Sequence, residues 1–142
     1  MLNIPCLLQK RKLQLSPEQC SDFYVDHFGK FFFPNLSAFM SSGPIIALTL
    51  ARSNAVAYWR ILMGPVNSPK ARETHPESLR AKYGTCDLKN ALHGSESFYA
   101  AEREIKFMFP NCKLFTHHTY CFSYGNVLLS VYDFVLSRCS CY

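Results

Sequence analysis

The segment Asn90-Ala91-Leu92-His93-Gly94-Ser95-Glu96-Ser97 gathers an imidazole, a carboxamide, hydroxyls and a carboxylate, and the helix that follows carries Glu104. A neutral imidazole nitrogen can attack a phosphoryl group and hold it covalently. It needs one nitrogen aimed outward and the other held by an acceptor. His93, at a strand end beside Gly94, can meet the first condition, with Gly94 leaving room for a substrate. Glu104, on the same face of the next helix, can meet the second. A lone His beside Gly also reads as a plain turn residue. A triphosphate further needs cations and donors, because charge on the transferring oxygens must be neutralised. Arg80 and Thr74 are candidates. Asn90 can donate to a ribose hydroxyl or near the β-phosphate, and Phe32, between Phe31 and Phe33, can stack on a base. Each of these alone also reads as structural, the three phenylalanines as core packing.

Positioning these groups falls to elements that the sequence punctuates clearly. Lys10 to Leu15 alternates basic and apolar residues, as a half-buried strand does. Ser16-Pro17-Glu18-Gln19 is a helix start, with Ser16 as cap, Pro17 at the first helical position and Gln19 completing a capping box. Gly29 is placed to end that helix. Asn35 is expected to cap a short helix through Met40. Ile45 to Leu50 reads as a strand buried on both faces. Asn54 starts a third helix that Gly64-Pro65 stops. Residues 65–76 read as loop, 76–82 as a short helix and 90–93 as a short strand. Ser95 or Ser97 caps the last helix, with Phe98, Ala101, Ile105 and Met108 as its buried stripe. This order is an α+β layout.

The chain of 142 residues is 49% hydrophobic and 18% charged, which suits one packed domain and excludes a disordered chain. Its net charge of +5 fits a mildly anion-seeking surface. Beyond Lys10-Arg11-Lys12 there is no dense basic run, so neither a membrane nor a specific nucleic acid is an expected partner. The seven cysteines form no CxxC pair and lack His partners at zinc spacing, so no metal site is expected. With no secretory signal and no apolar stretch of membrane-spanning length, a reducing cytoplasm is the expected compartment.

Taken together, these residues resemble the nucleoside diphosphate kinase family over about residues 9–111. Asn-x-x-His-Gly-Ser stands as Asn90 to Ser95, and Tyr-Val-x followed by Phe-Phe as Tyr24-Val25-Asp26 and Phe32-Phe33. Ser42-Gly43-Pro44 and Glu73-Thr74-His75-Pro76, with Arg80 beyond, complete the order. The wording of residues 10–20 and 101–110 is similar to a divergent subgroup found in cilia and flagella. The loop between Gly64-Pro65 and Thr74 is similarly shortened. The resemblance implies a ferredoxin-like antiparallel sheet with helices, and ping-pong transfer from Mg-ATP to a nucleoside diphosphate through phosphorylated His93. It implies that Thr74, Arg80 and Asn90 contact phosphate and sugar and that Phe32 packs on the base. Tyr24 would shape the pocket, and Ser95 and Glu104 would orient the imidazole. It also implies nucleoside di- and triphosphates and axonemal or ciliary proteins as partners, in the cytoplasm and cilium.

The sequence departs from the family pattern in three places. The Lys-Pro-Asp first strand and its helix are absent, and loss of such a lysine is expected to cost 100-fold or more in rate. A second family arginine, six residues before Thr74, is replaced by Ser68. Residues 112–142 form an atypical Cys- and aromatic-rich tail. In a ferredoxin-like sheet the first strand is central, so its loss leaves neighbours unpaired at roughly 1–3 kcal/mol per group. Residues 127–136 are β-prone and can in principle fill that slot; otherwise they form an unfolded or aggregation-prone extension. Three outcomes follow: a working kinase, a non-catalytic structural component of cilia or axonemes, or a fragment that does not fold alone. The expected balance is family membership with weak or absent catalysis.

Overall fold

Alternating burial along the chain's most apolar strand sets the layering. In the computed structural model, which describes residues 6–111 and the backbone of 126–133, Ile45 to Arg52 forms strand β2. Successive side chains of a strand point to opposite faces. Ile45, Ala47 and Ala51 accordingly enter one core cluster with Leu15, Cys20, Phe23, Ile105 and Met108. Leu50, with Leu48 packed alongside, belongs to a second cluster built on Ala55, Trp59, Met63 and Leu92. The sheet therefore carries a core on each face, and each large apolar side chain fully buried there contributes about 1.5–3 kcal/mol.

One face is covered by helices α1 (Pro17–Phe23), α2 (Phe33–Ser41) and α6 (Phe98–Met108). The other is covered by α3 (Ala55–Met63), with Leu79 of α5 (Leu79–Tyr83) packed against it. Strand β1 (Cys6–Leu13) pairs antiparallel with β2. From it, Arg11 Nη1 donates to the Met108 carbonyl at 2.6 Å, which ties the C-terminal end of α6 to the sheet edge. The capping box at Ser16 and Gln19 is fully formed.

The centre of the sheet comes from far along the chain. The four strands run in the order β1-β2-β4-β3, where β3 is Leu92–Gly94 and β4 is Asn126–Asp133. Strand β4 pairs antiparallel with β2 from Ile45↔Asp133 to Arg52↔Asn126, and antiparallel with β3 through Leu92↔Tyr132, His93↔Val131 and Gly94↔Ser130. The slot expected to stand empty is thus occupied by backbone from the tail, and an α+β antiparallel sheet results. Residues 127–133 of the β-prone stretch 127–136 lie in this strand; residues 112–125 and 134–142 lie outside the described residues.

Several local expectations need correction. Helix α2 begins at Phe33, with Pro34 in its first turn, so Asn35 is inside it and caps nothing. Residues 68–74, read as loop, form helix α4 (Ser68–Thr74), with Asn67 accepting from Lys70 N. Gly29 (φ +81°) does not end α1, because a 3₁₀ turn at Val25–His27 intervenes. Phe98 is 37% exposed, and Glu104 takes its expected place in the buried stripe of α6.

Candidate active site

Helix α6 and strand β3 meet so that two side chains share one carboxylate oxygen of a third. Ser97 caps α6 by accepting from Ala100 N, which starts the helix just after the strand ends. Two turns on, Glu104 Oε2 accepts from Ser95 Oγ at 2.5 Å and from His93 Nε2 at 3.0 Å. A carboxylate only accepts, so Nε2 carries the ring proton and the lone pair lies on Nδ1. The Glu104 side chain is 6% exposed and that of His93 21%, so the acceptor is sealed in while the imidazole reaches open space. Arg103 Nη2, 3.9 Å from Glu104 Oε1, pairs with Asp26 at 2.9 Å, and Arg103 Nη1 donates to Phe23 O; this anchors α6 to the end of α1.

Aromatic rings fix the imidazole laterally. Phe23 and Tyr24 meet it edge-on, with ring centroids 5.3 Å and 5.7 Å away. Gly94 is required by packing: a Cβ there would lie 2.6 Å from Trp59 Cδ1 and 2.7 Å from Met63 Cε. Gly94, expected to leave room for a substrate, lines the cavity and also admits Trp59 and Met63 of α3. Ala91 sits at φ +72°, a left-handed backbone that non-glycine residues seldom adopt, between Asn90 and the strand.

His93 opens onto a cavity of about 660 Å³, which Tyr24, Phe32, Arg80, Asn90 and Gly94 also line. That volume lies within the range of small-molecule sites. Arg80 is only 8% exposed, with Nη1 donating to Gly64 O at 2.9 Å and Nη2 to Leu92 O at 3.0 Å. Burial, and after it the nearby Arg60 charge, holds its guanidinium below the usual range. Asn90, which lines the cavity, donates from Nδ2 to Asp87 O. Phe32 stands just before α2, with His27 packed edge-on at 5.5 Å.

Thr74 is the exception among the expected residues. It is not part of the cavity lining among the described residues, and its hydroxyl donates to Lys70 O at 2.8 Å while meeting His75 Nδ1 at 2.8 Å. It closes the last turn of α4, the helix that replaces the expected loop, and so points its donor back along its own backbone. Ser95 and Glu104 stand behind the imidazole and not in the cavity wall. The sequence reading missed Arg60, His27 and Asp87, all of which line the cavity. Only fold placement reveals them, because none belongs to a local motif.

Comparison with known proteins shows the family and the fold. The family model described as nucleoside diphosphate kinase matches residues 6–114. The chain is 70% identical over 105 residues to nucleoside diphosphate kinase homolog 5 of Danio rerio, covering 74% of this chain and 48% of that protein. It is 67% identical over 104 residues to the Homo sapiens protein of the same name, covering 73% and 49%. The chain thus spans about half the length of these relatives. Among solved structures, the Aquifex aeolicus nucleoside diphosphate kinase superposes with a TM-score of 0.73 at 38% identity, covering 74% of each chain. The Halobacterium salinarum nucleoside diphosphate kinase, solved in complex with CDP, superposes at 0.69 with 29% identity, covering 75% of this chain and 70% of that one.

Proposed function

The chain belongs to the nucleoside diphosphate kinase family, and from that premise we propose that its cavity binds nucleoside di- and triphosphates and passes a phosphoryl group through His93. The observation that carries this reading is the Ser95–Glu104–His93 array, which leaves the imidazole lone pair on Nδ1 at the wall of a cavity lined by Arg80 and Asn90. In the first half-reaction Nδ1 attacks the γ-phosphorus of ATP. A P–N bond forms, the bond from γ-phosphorus to the bridging oxygen breaks, and ADP leaves. In the second half a nucleoside diphosphate oxygen attacks the same phosphorus and regenerates the neutral imidazole. Glu104 stabilises the cationic ring that exists while the phosphate is held. Mg²⁺ enters coordinated by the nucleotide, where it screens the phosphate charge. Phe32 packs on the base and Tyr24 shapes the wall beside His93.

Among the described residues no lysine lines the cavity, so charge neutralisation on the protein side falls to guanidinium groups. Transfer is accordingly slow. γ-Labelled ATP should leave an acid-labile, base-stable label that His93→Ala abolishes. Absence of label at stoichiometric protein would overturn the transfer step.

A second reading, a non-catalytic part of cilia or axonemes with protein partners, is favoured by the similarity to a ciliary subgroup. Large apolar side chains outside the cavity lining also favour it: Phe28 is 77% exposed and Tyr99 79%. A cytoplasmic and axonemal location goes with it, and no helix among the described residues is long and apolar enough to cross a membrane. Recovery of no axonemal component from ciliated-cell extract would count against it.

A further inference from the structure

Strand β2 lies between β1 and β4, yet its two faces are not equally sealed. Ile45, Ala47, Thr49 and Ala51 share one face by strand alternation, and all four are buried. On the opposite face Leu50 is buried, while Ile46, Leu48 and Arg52 are only half-buried. Helix α3 covers that second face, packing on β2, β4 and β3, with Trp59 and Met63 over Gly94 on the side of the sheet away from β1. The register of β1 carries the same face outward: Leu7 stands opposite Leu50, Lys10 opposite Leu48 and Lys12 opposite Ile46, and residues directly opposite share a face. Leu7 is 52% exposed, and Lys10 and Lys12 are exposed as well. Among the described residues the result is a strip two strands wide beside α3, with Leu7, Ile46 and Leu48 as an apolar floor and Lys10 and Lys12 as a rim. None of these five side chains lines the His93 cavity.

The charge around the strip has one sign. Strands β1 and β2 and helix α3 carry Lys10, Arg11, Lys12, Arg52 and Arg60, and no Asp or Glu. Lys10 forms no ion pair with a described residue. We propose that this strip docks an amphipathic helix of a partner protein, its apolar stripe on Leu7, Ile46 and Leu48 and its flanking Asp or Glu residues against Lys10 and Lys12. The dimensions fit: two strands make a strip about 10 Å wide and, at eight residues, about 26 Å long, which matches a helix of about 17 residues. An extra strand paired to the edge of β1 would leave Ile46 and Leu48 uncovered. The chain itself cannot supply the carboxylates, since residues 1–5 have none and residues 112–142 hold only Asp133, whose backbone ends β4. A second copy fits no better, because a two-fold contact would set one basic rim against the other.

Fluorescence anisotropy with the full chain tests this. The probe is a labelled helical peptide of about 17 residues with a leucine stripe flanked by Glu, and its counterpart has Lys in place of Glu. Wild type is expected to bind the Glu peptide at least about 10-fold more tightly than the Lys peptide. Lys10→Glu should weaken the Glu peptide about 10-fold and improve the Lys peptide, and Leu7→Ser should also weaken the Glu peptide. Melting temperatures should stay level, because both positions are exposed. Lys70→Glu, the same charge change at an exposed site on α4, should leave binding within about twofold. Failure of wild type to bind the Glu peptide, or equal weakening by Lys10→Glu and Lys70→Glu, overturns the proposal. So does a concentration-dependent dimer in sedimentation that Leu7→Ser abolishes, which makes a second copy the occupant. Capture of wild type but not Lys10→Glu by phosphatidylserine vesicles overturns it as well, in favour of a lipid surface. Each of these results leaves the His93 label and the ciliary-extract recovery to be read separately, so the three readings fail independently.

Discussion

The relay behind the imidazole and the middle of the sheet are assembled over very different stretches of chain. Ser95, His93 and Glu104 fall within residues 93–104, one strand end and one helix apart, and a serine cap between them sets the angle. The middle of the sheet joins residues 45–52 to residues 126–133, with every backbone pair spanning most of the chain. A short-range site keeps its geometry whenever its two elements form. A long-range strand must close a large loop before any ladder hydrogen bond rewards it. The chemistry is thus local and its platform is not.

Breaking the platform should have the largest effect. Ser130→Pro places a ring and removes an N–H in a strand flanked on both sides, a change of roughly 3 kcal/mol or more. Against a stability of about 5–15 kcal/mol, the melting transition should fall sharply or lose cooperativity in circular dichroism, and the His93 label should go with it. An unchanged transition would show that 126–133 contributes nothing to the sheet.

Breaking the relay alone should leave the platform standing. Glu104→Gln keeps the shape but replaces a charged acceptor with a neutral one. The initial rate of His93 phosphorylation by labelled ATP is expected to drop about 10- to 100-fold, with the fold intact. A rate within twofold of wild type would mean that Glu104 does not hold the ring.

The smallest effect concerns His27 at the cavity wall. Burial first, and then the Lys30 charge, lowers its proton affinity below the ordinary imidazole value of 6.5. The folded state therefore favours neutral His27. The unfolded chain binds the proton at a higher pH, so stability present above about 6.5 is lost as pH falls below it. His27→Gln should flatten the melting temperature between pH 7.5 and 5.5; an equally steep decline in this variant would assign the effect to other groups.

What the sequence made legible follows the same division. The capping box at Ser16, the His93–Glu104 pairing and the apolar run of β2 were all readable, because each depends on residues a few positions apart. Helix α4 was not, although Asn67 followed by Ser68-Pro69 is a proper helix start. The prolines at 65 and 76 dominated that stretch. Thr74 ends that helix, and its hydroxyl direction depends on whether the residues before it are helical. Arg60 was illegible for another reason: an exposed arginine on a helix looks solvated until the strand beside the helix is known to carry the site. The tail's β character was visible in 127–136, but which neighbours it would take was a question of topology and not of pattern.

Strand β3 touches the sheet only through β4 among the described residues, with His93 opposite Val131. Residues 126–133 therefore act as a ruler against which the imidazole is set. A slip of one notch moves the pairing by about 3.3 Å, more than the entire length of the bond between His93 and Glu104 can absorb. Any strand that took this slot, whatever its side chains, would calibrate the reactive ring through its backbone alone.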